Sequence, residues 1–128
     1  MSNALRVQSA ARILVVEDEG DLCALLEDQL EAAGYQPVCV HDDQTAYATL
    51  DAENRALSAL VVDINLGAGT TGYDVARYAR RLNPALPVIY TTGGNADSFE
   101  AHQVEDARLL EKPFGQAELL SVLEQAIG

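Results

Sequence analysis

Positive charge is scarce in this chain. Eight Lys and Arg stand against 20 Asp and Glu, a formal net charge of −12. Nucleic-acid binding rests mainly on cations that neutralise phosphates, so direct contact with DNA or RNA is not expected; the acidity favours solubility, a basic partner surface or a divalent cation. Long apolar runs are also missing, and no segment nears the ~18 consecutive apolar residues of a membrane helix. No membrane association is expected. Residues 1–11 lack the basic start, apolar centre and cleavage site of a signal peptide, so they read as a loose leader and the protein as cytoplasmic. Cysteine is nearly absent too. Cys23 falls in a helical pattern and Cys39 in a strand pattern, at a spacing typical of no metal site, and they are expected to be buried free thiols. Internal repeats, low-complexity tracts and linkers are lacking, and 128 residues suit one domain with a single core.

What is present is a succession of short apolar runs, each ending in polar residues. Ile13-Leu14-Val15-Val16 leads into Glu17-Asp18-Glu19, and the run from Ser58 through Leu60-Val61-Val62 ends in Asp63. Both suit buried parallel strands. Between them, Leu22, Leu25, Leu26, Leu30 and Ala33 follow helical spacing, stopped by Gly34 and its apolar follower Tyr35. Val38-Cys39-Val40 makes the second strand, and Asp42 or Asp43 can cap a second helix carrying Ala46 and Leu50. Beyond Asp63 a glycine-rich loop, 67–72, precedes a helix with Val75, Ala76, Ala79 and Leu82 on one stripe, ended by Asn83-Pro84.

Val88-Ile89-Tyr90-Thr91-Thr92 is the fourth strand. Residues 95–104 are polar, with Phe99 and Val104 as anchors, and fit a short or mobile helix as well as a firm one. Leu109-Leu110 gives the fifth strand before Glu111-Lys112-Pro113-Phe114, and Leu119, Leu120, Leu123 and Ile127 mark a last amphipathic helix. Five β-α units predict a doubly wound, flavodoxin-like α/β fold: a five-stranded parallel sheet of order 2-1-3-4-5 with five flanking helices, the fourth short or mobile. That order brings Glu17, Asp18 and Asp63 to one edge of the sheet.

Four features coincide at that edge: the acids after strand one, Asp63 ending strand three, a hydroxyl followed by Gly93-Gly94, and Lys112-Pro113-Phe114. Together they resemble the receiver domain of bacterial two-component response regulators, over residues 12–128. The ending Tyr90-Thr91-Thr92-Gly93 is similar to that of single-domain receivers with Phe-Ala-Thr-Gly at this place. The resemblance implies that Asp63 accepts a phosphoryl group from a histidine kinase or a histidine phosphotransfer protein. It implies Mg²⁺ (or Mn²⁺) held by Asp18, Asp63 and the backbone carbonyl of Asn65, with Glu17 acting through water. Lys112 would pair with a phosphoryl oxygen, its bond to Pro113 in cis. Matched to the family pattern, Thr92 supplies the functional hydroxyl, with Thr91 as the competing candidate. The result would be a shifted face of helix four, strand five and helix five, controlling an unknown downstream protein or a phosphorelay, with no enzyme activity beyond the chain's own phosphotransfer and autodephosphorylation.

Two departures shape the expectations. The family's aromatic switch position holds Leu109, which points to switching with Thr92 by ordering of residues 93–106 in place of an aromatic flip. The small Asn65 and Gly94 leave room for a hydrolytic water, so autodephosphorylation should be neither blocked nor extreme. Other readings of the same residues are a phosphorylation-independent interaction module and a small metal-dependent phosphotransfer enzyme.

Overall fold

A computed structural model describes residues 10–66, 71–94 and 99–128. The strands are β1 (Arg12–Val16), β2 (Gln36–Val40), β3 (Ala59–Asp63), β4 (Val88–Thr92) and β5 (Arg108–Glu111). They form one parallel sheet of order β2-β1-β3-β4-β5, the predicted order. The strands alternate in the chain with helices α1 (Gly20–Ala32), α2 (Asp43–Glu53), α3 (Gly72–Leu82), α4 (Phe99–His102) and α5 (Gln116–Ile127).

Side-chain alternation along the strands divides the core in two. Ile13 and Val15, with Val61 and Ile89, pack beneath Leu26 and Leu30 of α1 and Leu119 and Leu123 of α5. Leu14 and Val16, with Leu60, Val62 and Tyr90, pack beneath Ala46 and Leu50 of α2 and Val75, Ala76 and Ala79 of α3. Every residue of β3 and β4 is buried, as continuous apolar runs in a parallel sheet require. β2 begins earlier than its sequence pattern suggested and contains Pro37, which an edge strand tolerates because one side of its backbone pairs with no other strand among the described residues.

The helix ends follow their local chemistry. Gly34 takes a left-handed φ of 93°, and the Tyr35 N–H returns to the Leu30 carbonyl at 3.0 Å, closing α1. Asp42, not Asp43, caps α2 by accepting from the Thr45 N–H at 2.7 Å. Thr71 and Asp74 form a capping box on α3, which Asn83 ends ahead of Pro84. α4 is the short helix the polar segment allowed, and its expected anchors Phe99 and Val104 pack on the α2–α3 side of the core. The glycine-rich loop at 67–70, the start of the polar segment at 95–98 and residues 1–9 of the leader lie outside the described residues.

The expectation of two free thiols is corrected. Cys23 and Cys39 form a disulfide, with Cα atoms 6.1 Å apart. The β1-α1-β2 crossover lays α1 against β2, so residues that belong to different sequence patterns meet face to face.

Candidate functional site

Because all five strands run in the same direction, their C-terminal ends share one edge, and the polar residues that follow them converge there. Asp63 closes β3 and is 4% exposed. Its Oδ1 accepts the Asn65 N–H at 3.0 Å, and its Oδ2 accepts from Lys112 Nζ at 2.9 Å. Glu17 follows β1 and is 1% exposed. Its Oε2 accepts the Glu19 N–H at 3.1 Å, while its Oε1 lies 2.9 Å from Lys112 Nζ as an ion pair outside hydrogen-bond geometry. Asp18 is exposed at the rim. Carboxylate oxygens of Glu17, Asp18 and Asp63 all lie within 4.8 Å of one another.

Two of these carboxylates, Glu17 and Asp63, thus share one ammonium, with Asp18 beside them. Burial pushes the Glu17 carboxyl above its ordinary range and the charge of Asp63 adds to this, although Lys112 and the Glu19 N–H oppose it. Burial also works against the charged form of Lys112, but its hydrogen bond to Asp63 and its ion pair with Glu17 outweigh burial and hold the ammonium above the usual lysine range. The cluster is therefore short of positive charge. Its all-oxygen donor set fits a hard divalent cation.

The remaining expected residues gather at the same edge. Asp18, Asp63, Asn65, Gly93, Gly94 and Lys112 line a cavity of about 390 Å³, together with Glu19. Lys112 follows β5, its N–H bonds the Thr92 carbonyl at 2.7 Å, and its bond to Pro113 is cis. Thr92 is buried under the Gly93-Gly94 lip, where its hydroxyl accepts the Gly94 N–H at 3.3 Å. Strand alternation puts its side chain on the face of Tyr90, whereas Thr91 takes the opposite face. Leu109, half-buried, pairs with Tyr90 across the β4–β5 ladder.

Two residues here escaped the sequence reading. Tyr90 is fully buried, stacks edge-on to Phe99 at 5.5 Å, and its hydroxyl accepts the Val104 N–H at 3.1 Å. The available signal was a phenol in the middle of a strand expected to be buried, since a buried tyrosine hydroxyl needs a partner. Gly72 starts α3 and donates to the Ile64 carbonyl at 2.9 Å; a Cβ there would stand 2.1 Å from the Asp63 carbonyl oxygen. Glycine at that place lets α3 close against the backbone of Asp63.

This arrangement is that of a response regulator receiver domain, and the chain belongs to that family, whose model matches residues 13–124. Its homology to response regulators assigns it a phospho-accepting role in signalling. Among solved structures, a response regulator receiver protein from Sinorhizobium medicae WSM419 is 32% identical and superposes with a TM-score of 0.88, over 94% of this chain and 96% of that one. The receiver domain of the sensor histidine kinase PA1611 from Pseudomonas aeruginosa PAO1, solved with magnesium coordinated in its active-site cleft, is 26% identical with a TM-score of 0.81, over 94% of this chain and 99% of that one. The response regulator protein FleR of Pseudomonas aeruginosa is 34% identical over 93% of this chain, and the phyllosphere-induced regulator PhyR of Methylorubrum extorquens is 28% identical over 96%. The chain spans 25% of the length of FleR and 46% of PhyR.

Proposed function

We propose that Asp63 is the phospho-acceptor, taking the group from a phosphohistidine on a histidine kinase or a phosphotransfer protein. The observation that carries this reading is the buried Asp63 carboxylate at the cavity floor, bonded to Lys112 and within reach of two further carboxylates. An Asp63 oxygen attacks phosphorus as the bond from phosphorus to the donor imidazole breaks, its electron pair leaving with that nitrogen. Lys112 then moves from the carboxylate to a phosphoryl oxygen, and its flexible stem permits the exchange. Asp18, Asp63 and the Asn65 carbonyl would hold Mg²⁺ or Mn²⁺, with Glu17 acting through water. When bound, the cation offsets the negative charge shared by carboxylate and phosphoryl oxygens.

The Thr92 hydroxyl, whose oxygen accepts the Gly94 N–H, is the donor that reaches the transferred group, giving its own hydrogen to a phosphoryl oxygen. The signal leaves through Tyr90, on the same strand face as Thr92, whose hydroxyl holds the Val104 N–H beyond α4. Leu109 fills space beside that ring, so ordering of residues 93–106, of which 95–98 lie outside the described residues, replaces an aromatic flip at β5. The altered face of α4, β5 and α5 controls a downstream protein or a relay. The receiver unit spans residues 12–128, works in the cytoplasm, and catalyses only its own phosphotransfer and dephosphorylation. Among the described residues no helix is long and apolar enough to cross a membrane.

Incubation with Mg²⁺ and acetyl phosphate tests the assignment. Intact-mass analysis is expected to show a gain of one phosphoryl group, absent in Asp63→Asn and without the cation; an equal gain in Asp63→Asn would overturn it.

A further inference from the structure

Glu19 belongs neither to the acid cluster nor to the core. It is the residue before α1, its side chain is 70% exposed and caps nothing, and its Oε1 lies 3.8 Å from Lys112 Nζ. Of the three carboxylates on that ammonium, those of Glu17 and Asp63 are held in the buried floor, and Glu19 alone stands at the mouth. It borders two cavities at once. One is the anionic depression over Asp63; the other, of about 600 Å³, is a groove with Leu22, Leu25, Pro113 and Phe114 in its walls.

We propose that Glu19 is a specificity-determining residue that selects against small free phosphodonors and in favour of a protein donor, an inference that rests on the phospho-acceptor reading above. A free acyl phosphate is a dianion whose whole charge sits on the group that must pass Glu19 to reach Asp63 and Lys112. Each carboxylate at the mouth repels it, on a molecule already at −12. A phosphohistidine on a protein carries the same phosphoryl group, but contacts with Leu22, Leu25, Pro113 and Phe114 in the adjoining groove, which Asp21 also lines, offset the repulsion. The free donor has no such compensation. At separations of about 5 Å in solvent-exposed surroundings, a single charge against a dianion changes the encounter by roughly three- to tenfold at low ionic strength.

The test is the rate of Asp63 labelling, followed by intact mass at saturating Mg²⁺, for the unaltered chain, Glu19→Gln and Glu19→Asp. The probes are acetyl phosphate and phosphoramidate, whose amine leaves it one net negative charge. Glu19→Gln is expected to speed labelling by acetyl phosphate roughly three- to tenfold in dilute buffer, and by less than about twofold in concentrated salt. The gain with phosphoramidate should be smaller, and Glu19→Asp should stay near the unaltered rate. A gain that ignores salt, equals that for phosphoramidate or appears equally in Glu19→Asp overturns the proposal. Labelling of all three at one rate removes the selectivity alone. A chain that no donor labels, with or without Glu19, removes the phospho-acceptor reading and the selectivity with it.

Discussion

Lys112 balances two buried carboxylates, so its loss leaves Glu17 and Asp63 facing each other with no cation between them. Breaking a buried pair from one side costs more than the pair contributes. Lys112→Met is expected to lower stability by roughly 2–4 kcal/mol in chelator, with Mg²⁺ restoring much of it, as measured by urea unfolding followed by circular dichroism. Equal losses with and without Mg²⁺ would contradict the charge argument. Glu17 sets a pH dependence in the same medium. Its carboxyl is raised in the fold, so the protonated form is the favoured one there, and its contribution is complete below about 4.5 and lost as pH climbs through the raised value. Glu17→Gln should remove that part of the decline. Gly72 is the backbone counterpart: in Gly72→Ala the Asp63 carbonyl must shift, and a loss of about 1–3 kcal/mol together with slower labelling of Asp63 is expected.

At the scale of elements, β4 connects the site to α4. Tyr90→Phe keeps the ring against Phe99 but leaves the Val104 N–H without its acceptor. A cost of about 1 kcal/mol is expected, with faster amide exchange at Val104 and through residues 99–106. Unchanged exchange there would remove Tyr90 from the route. Burial also raises the Tyr90 phenol above its ordinary 10.0. Its contribution is therefore complete below that pH and lost as pH rises through the folded value, an alkaline decline that Tyr90→Phe should lack. Most elements were legible in advance because their signals are local. β-branched runs ending in acids marked β1 and β3, and Gly34 and Asn83-Pro84 marked helix ends. The Tyr90–Val104 bond was not legible, since it joins residues 14 apart on either side of α4, a separation that no periodicity encodes.

For the whole molecule, the parallel sheet turns scattered strand-end residues into one site, and this is why the strand order read from the sequence already brought Glu17, Asp18 and Asp63 to one edge, whereas the roles of Thr92 and Lys112 came from the resemblance to receiver domains. What spacing could not convey is depth. Glu17 and Asp18 are neighbours in sequence, yet one is buried at 1% exposure and the other lies open. Helix-on-strand contacts were hidden for the same reason. Cys23 and Cys39, 16 residues apart, meet only because α1 lies across β2. Most of the acidic residues behind the charge of −12 lie outside the floor, where Glu17 and Asp63 are buried against Lys112, so ionic strength should act on donor encounter far more than on the chemistry at Asp63.

The central claim is that the phosphoryl group resides on Asp63, and the most direct measurement is chemical localisation. Reduction of the phosphorylated chain with borohydride converts an aspartyl phosphate to homoserine, which peptide mass analysis locates. Homoserine at position 63, formed only when Mg²⁺ and the phosphodonor were both present, is the predicted result. Homoserine at another position, or a phosphoryl group that survives on a residue other than Asp63, would contradict the account.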